Sequence, residues 1–270
     1  MGWVEQTPIW VIGLLMVGGL ILVHEFGLRA GRRFTSKRAD TEGRSYLVSS
    51  ALALLALLLA FTFGAAEQRF GLRQQLVVQE ANALGTAYLR AQLFEPPARE
   101  ALSRQLLRYG ELRMTWPEIS GDPGRLKAFQ RQSAEQQAAI WRTVGDAVRV
   151  NKLITLNGPL VDPINQMFDL AESRTAALEA RVPLTVLRVL AIYAFAAAAI
   201  MGFGLANERR HEVVSSTVLL LLTLAFCLIL DLDRPHAGSV RANQGAMERT
   251  VASIGQAETA KLKPAVLKQP

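Results

Sequence analysis

One stretch limits the folds open to this chain more than any other. From Ser45 to Glu95 it runs SYLVSSALALLALLLAFTFGAAEQRFGLRQQLVVQEANALGTAYLRAQLFE, with no proline until Pro96. The first part, Tyr46 to Ala66, is uncharged and meets the ~20-residue length of a helix that crosses a bilayer. The second part is charged yet keeps a helical rhythm, with Leu72, Leu76, Val77, Leu84 and Leu89 recurring on a face. The stretch predicts one continuous helix that spans a membrane and then leaves it. At ~1.5 Å per residue its length is on the order of 70 Å, so more than half projects into water.

Three more apolar runs, Ile9–Phe26, Leu184–Ala206 and Val213–Leu230, meet the same criterion, the first and last narrowly. Half of the residues are hydrophobic, and they are blocked rather than spread, which excludes an ordinary soluble domain. The predicted fold is an all-α membrane protein. Four transmembrane helices carry a helical bundle built on extensions of the second and third spans. The predicted organisation is a first hairpin over 1–66, a polar bundle over 67–183, a second hairpin over 184–235 and a polar tail over 236–270.

Within the bundle block, Pro96-Pro97 ends the long helix and Ala98–Met114 resumes. The Trp116-Pro117 and Gly121–Gly124 region reads as a loop, and a helix follows over Arg125–Lys152. Asp162 before Pro163 reads as an N-cap and first helical residue. The helix it starts is expected to continue through Arg181 into the third span, kinked near Pro183.

The net charge of +7 does not imply a nucleic-acid partner, because no aromatic residues interleave the basic ones as stacking platforms. Arg29, Arg32, Arg33, Lys37, Arg38 and Arg44 instead crowd the loop after the first span, and Arg209 and Arg210 the turn between the third and fourth. Basic residues in short loops mark the cytoplasmic side. This places the 27–45 loop in the cytoplasm, with the bundle and both termini outside. The expected location is a bacterial inner membrane, with the lipid bilayer as the first partner. Cys227 is the only cysteine, so neither an intrachain disulfide nor a cysteine-based zinc site is expected. Met1–Pro8 lacks a basic n-region, and the first span reads as a retained anchor.

Three stretches, HEFGLRAGRR (24–33), AEQRFGLRQQLVVQEANALGTAYLRAQL (66–93) and DLDRPHAGS (231–239), resemble a bacterial bestrophin-like membrane family of unknown function. LLRYGELR (106–113) and NQMFDLAESR (165–174) agree more weakly. The resemblance implies a four-span inner-membrane protein and invites comparison with true bestrophins, pentameric ion channels lined by their second span. On that comparison Phe61 and Phe63 stand near the pore constriction, in a homo-oligomer that passes an inorganic ion. The calcium clasp of true bestrophins has no counterpart here unless Asp231 and Asp233 are a reduced version. True bestrophins also keep their large domain in the cytoplasm, the reverse of the charge expectation.

Topology brings Glu67, Arg69, Arg73, Arg181, Arg188, Asp231 and Asp233 to one membrane face. A charge within an apolar span is costly unless paired, so Asp231 or Asp233 is expected to pair with Arg69, Arg73 or Arg188, as a structural clamp before an ion-selecting ring. On the projecting helices, Glu80, Asn82, Thr86, Tyr88 and Arg90 face possible partners Asn165, Asp169 and Arg174. A register-setting polar network is expected there, with a ligand site as the sharper alternative.

No enzyme is expected. His24, His211 and His236 are scattered, and no metal-binding, nucleophile or phosphate-loop motif appears. Nor does any motif imply a cofactor. Two functions remain: an oligomeric ion channel lined by the second span, or a membrane-anchored scaffold or sensor whose bundle binds a partner or small ligand.

Overall fold

The computed structural model describes residues 7–34, 41–116, 122–150, 157–206, 212–234, 238 and 240–262. Lys37, Arg38, Arg209, Arg210, His211 and His236 lie outside that set. The described residues form eight helices: α1 (Ile9–Phe34), α2 (Thr41–Ala91), α3 (Pro96–Met114), α4 (Pro123–Val150), α5 (Asn157–Glu179), α6 (Leu184–Gly204), α7 (Glu212–Asp233) and α8 (Gly245–Leu262). The long central helix is continuous over 51 residues. Four stretches, carried by α1, α2, α6 and α7, are long and apolar enough to cross a membrane.

The chain divides into two compact units, Met1–Phe70 with Ala180–Arg241 and Gly71–Glu179 with Ala242–Pro270. In the membrane unit the outward surface is apolar: Leu14, Leu22, Phe26, Ile192 and Leu221 are all exposed, as lipid permits and water does not. The core comes from Leu20, Leu55, Leu190, Ala197, Met201 and Ile229. Hydrophobicity cannot drive packing between helices in lipid, so close approach of small residues takes over. Gly27 and Gly31, four apart in the HEFGLRAGRR stretch, lie against the backbone of Ala199 and Phe203. Gly202 lies against the His24 carbonyl in return. A Cβ at any of these three would overlap the partner helix. The small residues earlier in α1 differ among themselves: Gly19 faces the Phe195 ring, while Gly18 faces open space.

The bundle unit has a soluble-type core. Val77, Leu84, Leu102, Leu106, Tyr109, Ile140, Ile164 and Met167 interlock from four helices. Met247, Val251 and Ile254 of α8 complete it, so much of the 236–270 segment expected as a polar tail is a packed helix. Their spacing of four and three puts all three on one face.

The expected 27–45 loop is largely helical, because α1 runs on to Phe34 and α2 begins at Thr41; two further boundaries differ from expectation at prolines. First, α5 starts at Asn157, so Pro163 lies inside it rather than at its first turn. A helical proline strips the carbonyl four residues back of its partner. Here that carbonyl is Pro159, and Arg90 Nη1 donates to it at 2.6 Å. Second, the helix predicted to run kinked into the third span stops at Glu179, and residues 180–183 are non-helical. Proline disfavours helical geometry in the residue before it, and Pro183 caps α6 with an extended ψ of 132°.

Candidate functional site

Glu80 stands where α2, α3 and α5 meet, and its carboxylate has no solvent exposure. Tyr109 Oη donates to Oε1 at 2.6 Å, and Arg113 Nη2 donates to Oε2 at 3.3 Å. Arg113 Nε also lies 2.6 Å from Oε1 but off the N–H axis, so that contact is ionic and the Nε–H remains without an acceptor. Arg174 Nη1 closes on Oε2 from α5, and its Nη2 donates to Gln244 Oε1 at 3.2 Å. Tyr109 and Arg113 come from LLRYGELR, four residues apart and so on one face of α3.

Charge in this cluster is unbalanced. Two guanidiniums, 2% and 4% exposed, share one buried carboxylate. Burial alone pushes the Glu80 carboxyl upward, but Arg113 and Arg174, with the Tyr109 hydrogen bond, outweigh it and hold the group below the ordinary carboxylate range. Burial, then the neighbouring carboxylate, pushes the Tyr109 phenol well above its usual value. Burial lowers Arg174, with Glu80 opposing. The Arg113 guanidinium lies 5.3 Å from the Trp116 ring centroid and 5.5 Å from that of Phe129, close enough for cation–π attraction.

A cavity of about 270 Å³ adjoins this cluster between α3, α4 and α5, lined by Arg113, Trp116, Phe129, Gln130, Ser133, Gln137, Ala171, Glu172, Thr175 and Glu179 among others. No spacing pattern in the sequence joins these residues. Of the predicted polar network, the structure brings together Glu80 and Arg174. Tyr88 turns elsewhere, donating to Glu258 of α8 at 2.7 Å. Lys261 joins that pair, donating to Glu258 at 2.7 Å. Arg90 serves the Pro159 carbonyl, while Asn82, Thr86, Asn165 and Asp169 lie exposed.

In the membrane unit, Asp231 and Asp233 are buried at the end of α7. Asp233 Oδ1 accepts from the Val182 backbone N–H at 2.8 Å, tying down the non-helical segment before Pro183. Asp231 Oδ2 accepts from the Val240 N–H at 3.3 Å. Gly238 sits against the Asp231 and Arg234 carbonyls, and Arg234 Nη1 donates to Thr7 O at 2.9 Å. Within the DLDRPHAGS stretch, the described residues Asp231, Asp233, Arg234 and Gly238 are thus held by contacts with the backbone. Arg69 donates to Ala65 O at 3.0 Å, and Glu67 and Arg188 are exposed. Arg73 belongs to the bundle unit, where its Nε donates to Ala177 O at 3.1 Å. Phe61 and Phe63 are 69% and 39% exposed on α2.

Apolar helices joined at a glycine crossing, and an all-helical bundle with a buried Glu–Arg–Arg core, define an all-α protein with helices long and apolar enough to cross a membrane. Two crystal structures of a bacterial bestrophin homologue from Klebsiella pneumoniae share its fold. One, a Trp-to-Ala variant, gives a TM-score of 0.67 at 13% identity, covering 93% of this chain and 97% of that one. The other, a Tyr-to-Ala variant, gives 0.65 at 14% identity, covering 90% and 98%. The model of the bestrophin-like domain matches residues 14–247, and the chain belongs to the bestrophin-like family. No curated protein matches it.

Proposed function

We propose that this chain is the protomer of an oligomeric ion channel whose wall is α2, with Phe61 and Phe63 at its constriction. One observation carries the reading. Every exposed residue of α2 from Leu72 to Leu89 is uncharged: Leu72, Gln75, Val78, Gln79, Asn82, Thr86 and Leu89. Other bundle helices carry the charges normal for a water-facing surface, among them Arg104, Arg108, Glu111, Arg131, Glu135, Arg142 and Asp146. An uncharged face with mixed apolar and amide side chains suits a lumen or a subunit contact, where fixed charge would trap ions or cost desolvation. On the same helix, the exposed Phe61 and Phe63 supply the apolar bulk for a gate that closes by dewetting.

The test is purification in nanodiscs, stoichiometry by mass photometry, and ion flux from liposomes. The expected result is a closed ring of more than two protomers that conducts, with flux raised several-fold by Phe61→Ala or Phe63→Ala. A monomer or compact dimer without flux overturns the reading.

Charge supports an orientation too. Arg29, Arg32 and Arg33 cluster in the last turns of α1 and Arg44 in the first turn of α2, which favours a cytoplasmic loop and a bundle on the opposite side.

A further inference from the structure

The cavity between α3, α4 and α5 has two chemically different ends. Its inner end meets Arg113, a member of the cluster in which two buried guanidiniums share the Glu80 carboxylate. Trp116 lines the same end, and its indole N–H is buried with no acceptor. A buried donor left unpaired destabilises the fold, so an acceptor arriving there removes a standing penalty. Ser133, also buried, adds a hydroxyl. Trp116 and Phe129 already hold the Arg113 guanidinium in place, so a ligand need not order it.

The outer end is acidic. Glu172 and Glu179 line the cavity from one face of α5, and both are exposed. They oppose a purely anionic guest such as a phosphate, while the surplus guanidinium at the inner end opposes a purely cationic one. A molecule that satisfies both ends carries a carboxylate and an ammonium group. The volume of about 270 Å³ takes on the order of ten non-hydrogen atoms at roughly 30 Å³ per water-sized group.

We infer that this cavity binds a small zwitterionic amino carboxylate, its carboxylate against Arg113 and the Trp116 indole N–H, its ammonium against Glu172 and Glu179. The inference stands apart from conduction and uses a binding readout alone.

The test uses the full-length protein in detergent, with glycine and β-alanine as probes, propionate and ethylamine as single-charge controls, and thermal shift and calorimetry at matched ionic strength. A zwitterion should bind at least tenfold more tightly than propionate. Combined Glu172→Gln and Glu179→Gln should erase that margin. Trp116→Phe, which keeps an aromatic ring but removes the indole N–H, should weaken zwitterion binding about tenfold in a protein whose folding is checked by circular dichroism. No saturable binding by either zwitterion overturns the inference. So does ethylamine binding as tightly as glycine, or a Trp116→Phe protein that binds glycine as the parent does.

Discussion

Glu80 illustrates how a single buried residue holds several helices together. It accepts from Tyr109 and Arg113 of α3 and from Arg174 of α5. Replacing it with Gln leaves two guanidiniums in the core without a counter-charge, and removing one partner of a buried pair costs about 3–5 kcal/mol. Glu80→Gln should therefore lower the melting temperature sharply, as read by circular dichroism in detergent. The pH dependence has a definite sign. The folded carboxyl is held below its unfolded value. Its contribution is therefore present above about pH 4.3, the ordinary glutamate value, and is lost as the pH falls through the folded value. Glu80→Gln should flatten that acid limb of the stability profile. A limb as steep as the parent's would remove Glu80 from the account. From the sequence, Glu80 and Arg174 stood out as polar residues on a helical face. Tyr109 and Arg113 did not, because their relation to Glu80 depends on which face α3 turns inward. The four-residue spacing within LLRYGELR was the available signal.

At the level of the element, the helices were the most legible part of the chain. Apolar runs and proline breaks are local, and local patterns survive in sequence. Interhelical contacts are not local. Of the glycines in α1 and α6, the tight crossing involves Gly27, Gly31 and Gly202. Composition alone does not say which of several glycines meets a neighbouring backbone. Gly202→Ala should destabilise the membrane unit by about 1–3 kcal/mol or more, the cost of overpacking, because its methyl meets a carbonyl that cannot rotate away. Gly18→Ala, facing open space, is the matched control and should leave heat stability in detergent unchanged. Equal losses from both would refute the crossing. Helix α8 was hidden for a different reason. Three apolar residues, Met247, Val251 and Ile254, are spread through a polar, lysine-containing segment, and a stripe that narrow is easily lost in average polarity. The Asp162–Pro163 pair misled because it has the composition of a helix start, while Arg90 supplies from outside the hydrogen bond that proline forbids.

For the whole molecule, fold class followed from the blocking of apolar residues, and the side of the membrane on which the bundle lies is the sharpest open contrast. The orientation proposed from charge has it outside, whereas true bestrophins keep their large domain in the cytoplasm. Ser173, exposed on α5, is a suitable reporter once Cys227 is replaced by Ala. A Ser173→Cys protein should react with an impermeant maleimide in intact cells. Reaction only after permeabilisation would reverse the assignment and bring this chain into line with true bestrophins. Burial, not position in the block, decides which bundle residues can serve this purpose: Ser103 also lies in the block but is fully buried.

The chain leaves the membrane unit at Phe70, returns at Ala180 and leaves again after Arg241, which bears on its biogenesis. Most of the bundle core is synthesised before the third span, yet Met247, Val251 and Ile254 follow the fourth. A ribosome making this protein thus completes both hydrophobic hairpins while the bundle still lacks the side chains that close it. Closure of the bundle therefore waits for α8, so a chain that ends before α8 lacks the side chains that complete its apolar core.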